Sequence, residues 1–194
     1  DESGEVIGFE EKPENPRPIP GDPDHALASM GNYIFRREEL VEHVVRDARN
    51  DGSAHDFGRN VITDMVANPR RRVFAYDFST NTIPGQPDTE RGYWRDVGTI
   101  ESFFDAHQDL ISALPIFNLY NADWPIYSQQ LNSPPAKFVR DADGRNGDVI
   151  DSIVSLGTVI SGSHIERSVL GPWVVVESAS ITDAVVFERT TIGA

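Results

Sequence analysis

The sequence contains no cysteine, which excludes disulfides and thiolate metal sites and fits a reducing compartment. No apolar run approaches the roughly 20 residues that cross a bilayer, and no secretory signal is visible, so the expectation is a cytoplasmic protein without a membrane partner. Basic residues are scarce: 17 Lys and Arg against 31 Asp and Glu leave a formal net charge of -14. Such a surface repels a phosphate backbone, so nucleic-acid binding is excluded, and any phosphorylated small molecule must be met by a few local cations. The five histidines form no His-x-x-x-His pair, which argues against zinc, and no Gly-x-Ser-x-Gly nucleophile turn occurs. What remains is ordinary globular composition, 39% hydrophobic and 25% charged over 194 residues, enough for one domain or two small ones.

The first part alternates strand and helix signals. Val6-Ile7-Gly8-Phe9 reads as a strand closed by Pro13, Leu27 to Phe35 as a second and Arg72 to Phe78 as a third. Arg37 to Ala48 spaces Leu40, Val41, Val44, Val45 and Ala48 along one helical face. A second helix starts near Asp56, with Phe57, Val61, Ile62, Met65 and Val66 turned inward, and stops before Asn68-Pro69. A third starts at Thr99, where Ile100, Phe103, Phe104, His107, Leu110 and Ile111 form a stripe ahead of Pro115. This mixture predicts an α/β layered domain over 1–114. From 115 to 147 periodicity is lost and prolines recur, as in a connection between domains.

From 148 onward a repeat takes over: Val169 lies 16 positions after Ile153, and Val185 lies 16 after Val169. Val159 matches Val175, Ile160 matches Val176 and Ile165 matches Ile181 at the same interval. Inward aliphatics stepping from Ile153 to Val159 to Ile165 and then to Val169, with Gly157, Gly162 and Gly171 near corners, predict a left-handed parallel β-helix. A solenoid ending at Ala194 without a cap leaves an open edge, so the isolated segment is expected to be unstable or self-associating.

Chemistry concentrates at a few positions. Glu10-Glu11-Lys12-Pro13 ends the first strand in two carboxylates and an ammonium group, and Ser29 lies in the second strand beside small residues that leave room for a ligand. Tyr93-Trp94-Arg95-Asp96-Val97-Gly98-Thr99 presents Asp96 at a glycine turn, where it serves either as a helix cap or as a metal-binding carboxylate. Lys12 alone reads as a solvated charge and Ser29 alone as a hydroxyl bonded to backbone. Lys137 and Arg140, after Pro134-Pro135, are either a solvated pair or part of an anion site between domains. Asp56-Phe57-Gly58 copies a kinase metal triplet without the other kinase motifs, so it reads as a helix start with Phe57 in the core.

In order, Glu-Glu-Lys-Pro, Ala28-Ser29-Met30-Gly31, Ser53-Ala54-His55-Asp56-Phe57-Gly58, the Asp96 motif and Pro134-Pro135-Ala136-Lys137-Phe138 resemble the glucose-1-phosphate adenylyltransferase family across essentially the whole chain. The resemblance implies a partial nucleotidyltransferase domain of Rossmann-like, GT-A type followed by the left-handed β-helix. It implies ATP and glucose 1-phosphate as substrates, with Lys12 on the sugar phosphate, Glu11 and Ser29 on glucose hydroxyls, and Asp96 on Mg2+. It further implies sugar-phosphate or nucleotide effectors near Lys137 and Arg140, and a homotetramer. The family's glycine-rich phosphate loop is missing and the chain begins at Asp1, so the expectation is the carboxyl-terminal portion of a longer enzyme, inactive by itself. Thymidylyl or guanylyl transfer, a non-catalytic regulatory subunit and, more remotely, a hexapeptide acyltransferase are the competing readings.

Overall fold

The structure, a computed structural model, describes residues 3–19, 21–129 and 131–193. Asp1 and Ala194, on which the expectations about an upstream half and an uncapped solenoid bear, lie outside the described residues. The chain packs as two compact units, Asp1–Asp77 and Phe78–Ala194.

In the first unit, α1 spans Arg37–Ala48, with Glu38 and Glu39 in its first turn and Arg46 in its last, charges that complement the helix dipole. The second helix begins where Asp56 accepts the Arg59 amide at 2.8 Å. Its first stretch, Phe57–Ile62, is π-helical and runs on into α2, Thr63–Ala67. Val61, Ile62 and Met65 are buried as expected, whereas Phe57 is not a core residue: its ring is 43% exposed.

The inward face of α1 also needs correction. Val41, Val44 and Val45 are exposed, and the buried residue is His43 at 2%. His43 Nδ1 lies 3.3 Å from Asp64, Arg46 pairs with Asp64, and Arg71 donates to Glu42 at 2.8 Å and to Glu39. Periodicity shows which residues share a face; burial depends on which face meets a neighbour, and here the neighbour is charged.

Of the three expected strands, only a fragment of a ladder forms. Glu5 bridges Phe74 antiparallel, the Val6 amide donates to the Val73 carbonyl at 2.8 Å, and the Ala75 amide donates to Gly4 at 2.9 Å. The segment 27–35 forms no strand and bends at Gly31, where φ is 73°. Alternation marks a chain able to pair, and a strand exists only once a second backbone supplies the hydrogen bonds.

In the second unit, α3 spans Ile100–Leu110 and is opened by Thr99, whose hydroxyl accepts the Ser102 amide while the Ser102 hydroxyl takes the Thr99 amide, a reciprocal capping box. Ten short strands follow: β1 Lys137–Val139, β2 Asp148–Ile150, β3 Ile153–Val154, β4 Val159–Ser161, β5 His164–Glu166, β6 Val169–Leu170, β7 Val175–Glu177, β8 Ser180–Thr182, β9 Val185–Val186 and β10 Thr191–Ile192. They form three parallel sheets, β1-β4-β7-β10, β2-β5-β8 and β3-β6-β9, the three sides of a parallel β-helix. The expected register holds, with Ile153 beside Val169 beside Val185, Val159 beside Val175 and Ile165 beside Ile181.

The inward set is shifted on two sides. Ile165 points in, yet the enclosed partners are Ile160 and Leu170, each 0% exposed, with Val154 packed against them, rather than Val159, Val169 and Ile153. Each of those sites is a pair of adjacent aliphatics, so the interval of 16 is identical for both members and cannot say which faces the core. The corners are residues in the left-handed region: Asp151, Arg167 and Asp183 on one edge, Gly157, Trp173 and Arg189 on the second, Gly162 and Ser178 on the third. Buried hydroxyls close the polar accounts inside the corners. Ser168 accepts the Ala184 amide at 3.1 Å and donates to the Glu166 carbonyl at 2.8 Å, and Ser163 does the same between Ala179 and Ser161.

Candidate functional site

Within the first unit, Glu11 touches the start of the second helix directly and Ser29 is linked to it through an aromatic ring. The carboxylate of Glu11 lies against the backbone of buried Gly58, so closely that a Cβ built there would stand 2.2 Å from Glu11 Oε2. Ser29 Oγ is 3.0 Å from Tyr33 Oη and accepts the Gly31 amide at 3.2 Å. Tyr33 in turn stacks on Phe57 at 6.3 Å between centroids, and Phe35 joins both rings at 6.1 Å. Glu11 thus touches the Phe57–Gly58 start of the second helix directly, and Ser29 is linked to it through the Tyr33 ring.

Lys12 follows Glu11, is exposed, and holds a left-handed backbone with φ 47°. That conformation costs a residue with a Cβ about 1 kcal/mol and concentrates at functional turns. Sequence reasoning missed the aromatic trio and the role of Gly58. The His-Asp-Phe-Gly motif was the available signal, but nothing in local periodicity joins Tyr33 and Phe35 to a ring more than twenty positions on. The motif also has an anchor behind it: Asp47 accepts from the Ser53 hydroxyl at 2.5 Å and from His55 Nδ1 at 3.0 Å. The Ser53 hydrogen bond, then that of His55, holds the Asp47 carboxyl below its ordinary range.

Asp96 belongs to the second unit. Thr99 supplies the cap of α3, so Asp96 is not the helix cap, and its Oδ1 accepts the Gly98 amide at 3.1 Å in a tight turn. The carboxylate is exposed. Tyr93, three residues earlier, stacks on Phe117 at 5.1 Å and ties the approach to the turn down. As a hard oxygen donor with free lone pairs Asp96 suits magnesium, which commonly takes one or two carboxylates and completes its shell with phosphate and water. Among the described residues no group of three or more His, Asp or Glu that could hold a metal ion forms. Lys137 lies in β1, exposed, and Arg140 follows that strand with its Nε donating to Asn146 at 2.8 Å.

Comparison with known proteins adds a consistent finding. Residues 1–113 match the family model described as nucleotidyl transferase, and residues 134–194 match that described as GlmU-like, C-terminal hexapeptide, the repeat of left-handed β-helices. The chain is 59% identical over 188 residues to a protein of Leifsonia xyli subsp. xyli named glucose-1-phosphate adenylyltransferase, covering 96% of this chain and 45% of the relative. It is 50% identical to a protein of that name from Anaeromyxobacter dehalogenans, covering 92% of this chain and 43% of the relative. A third, from Vibrio cholerae and named glucose-1-phosphate adenylyltransferase 1, is 50% identical over 88% of this chain and 41% of its own length. The chain thus spans less than half the length of each of these relatives.

Proposed function

The chain belongs to the nucleotidyl transferase family, and from that premise we propose that the whole protein transfers the adenylyl group of ATP to α-D-glucose 1-phosphate, giving ADP-glucose and pyrophosphate for glycogen or a related α-glucan. What supports this reading is Glu11 against Gly58, with Lys12 beside it in a left-handed backbone and Ser29 linked through Tyr33 to Phe57, a carboxylate, a cation and a hydroxyl of the kinds that suit a hexose phosphate.

The reaction is an in-line displacement. A phosphate oxygen of glucose 1-phosphate bonds to the α-phosphorus of ATP, and the bond from that phosphorus to the bridging oxygen breaks as pyrophosphate leaves with the electron pair. The nucleophile is already anionic, so positioning and charge neutralisation do the work. Lys12 holds the sugar phosphate as a compact point charge. Glu11 and Ser29 bind glucose hydroxyls, the ionised acceptor making the stronger bond. Asp96 would hold Mg2+, which when bound offsets charge on the phosphoryl oxygens. In the same reading residues 1–114 are catalytic, the expected connection of 115–147 gives way to the β-helix already at β1, Lys137–Val139, and that β-helix serves assembly into a homotetramer in the cytoplasm. Lys137 and Arg140 take sugar-phosphate or nucleotide effectors.

In the full-length protein, Lys12→Ala should raise the KM for glucose 1-phosphate roughly tenfold to a hundredfold, the worth of one charged hydrogen bond, and leave that for ATP nearly unchanged. Equal losses for both substrates would refute the assignment. Pyrophosphate release measured with ATP, UTP, dTTP and GTP in turn identifies the base.

A further inference from the structure

We infer that the β-helix acts as a backstop for the Asp96 turn, through Phe187 and Gln108 as positioning residues, an inference that rests on the proposed role of Asp96 as a metal ligand. Asp96 is joined to α3 by a short rigid relay: its carboxylate takes the Gly98 amide at 3.1 Å, and the next residue, Thr99, locks the first helical turn through the reciprocal bonds with Ser102. The Phe103 amide then donates to Thr99 at 3.0 Å. Helix α3 is seated on the solenoid at two separated points. The Phe103 ring lies 6.1 Å from that of Phe187, just past β9, and Gln108 Nε2 donates to the Arg167 carbonyl at 3.1 Å.

Those two points belong to different edges of the β-helix. Arg167 is a left-handed corner on the Asp151 and Asp183 edge, its amide donates to Ile150 at 3.2 Å, and its guanidinium binds both oxygens of Asp183 at 2.7 Å. Phe187 leads into the edge that holds Trp173 and Arg189. One contact would let the helix pivot; two, on a ladder-braced body, fix both its height and its rotation. A carboxylate three residues ahead of the cap of such a helix keeps a defined direction, which is what a metal ligand needs, since misplacement by about 1 Å is costly in a phosphoryl-transfer site.

The test uses the full-length protein with Phe187→Ala, Gln108→Ala, the double variant and, as a rescue, Phe187→Tyr, which keeps the ring. Mn2+ affinity is read from the free-ion electron paramagnetic resonance signal, and hydrogen exchange is followed at the amides of Gly98 and Ser102. The expected result is a Mn2+ dissociation constant raised roughly threefold to tenfold, faster exchange at both amides, and return to the parent values in Phe187→Tyr. Unchanged Mn2+ affinity in the double variant, with the β-helix amides of Val175 and Val176 still protected, overturns the inference, as does unchanged affinity in Asp96→Asn. Neither readout needs turnover. A protein that binds Mn2+ in this coupled way but transfers no adenylyl group would sink the proposed reaction and leave the coupling standing.

Discussion

Single residues in this chain carry strain and charge that can be tested one at a time. Gly157 turns a corner at φ 79°, and a Cβ there would stand 2.8 Å from Trp173 Cδ2. Gly157→Val combines a disfavoured backbone with a clash and should destabilise the β-helix by about 2–4 kcal/mol, measured by denaturant melts followed by Trp173 fluorescence. His164 is a second case. The hydrogen bond to Asp148, reinforced by Glu166 and opposed by partial desolvation, holds its imidazolium above the ordinary histidine value of 6.5. A pKa raised on folding means the stabilisation is fully present below the unfolded value and is lost as pH rises through the folded one. The melting temperature should therefore fall between pH 6 and pH 8 in the parent and change less over that window in His164→Gln. A histidine imidazole titrating by NMR at or below 6.5 would contradict it.

Elements show where pattern reading succeeds and where it stops. The bounds of α1, the cap at Asp56, the start of α3 at Thr99 and the 16-residue register were all legible, because caps and repeat intervals are local chemistry written along the chain. Orientation was not. Which of Val169 and Leu170 faces the core depends on the corner geometry, and two aliphatics side by side look alike to any hydrophobic pattern. Leu170→Ala should cost about 2–5 kcal/mol by leaving a cavity in a core that encloses it completely, while Val169→Ala, on the half-buried outer side, should cost less than half as much. Paired urea melts decide the phase; equal losses would contradict the assigned inward set. The Phe57–Gly58 start of the second helix teaches the same lesson for the site. The motif was visible as a helix start, and its use as a platform for Glu11 and Tyr33 needed the chain to fold back on itself.

At the scale of the molecule, the two units are unequally built. The second encloses Ile160, Ile165, Leu170, Val174, Val176 and Ile181, whereas in the first the buried apolar set is Val61, Ile62 and Met65 beside a charged helix contact. Stability follows buried apolar surface, so the 1–77 unit should open before the β-helix on heating. Hydrogen exchange on the 194-residue chain should find amides of α1 unprotected at temperatures where Val159 and Val175 remain protected, and a single coincident transition would argue against it.

By itself the sequence determined the helices, their caps, the interval of the solenoid, the absence of thiol chemistry and the motifs that mark the family, because each is set by neighbours a few residues apart or by composition. Only the tertiary structure decided which helical face is buried, which aliphatic of each pair points inward, that among the described residues the segments 6–9, 27–35 and 72–78 form no continuous strand, and that Glu11 lies against Gly58 while Tyr33 lies against Phe57. Those outcomes depend on the groups a distant segment brings into contact. Residue order constrains such encounters, and the packed structure selects among them.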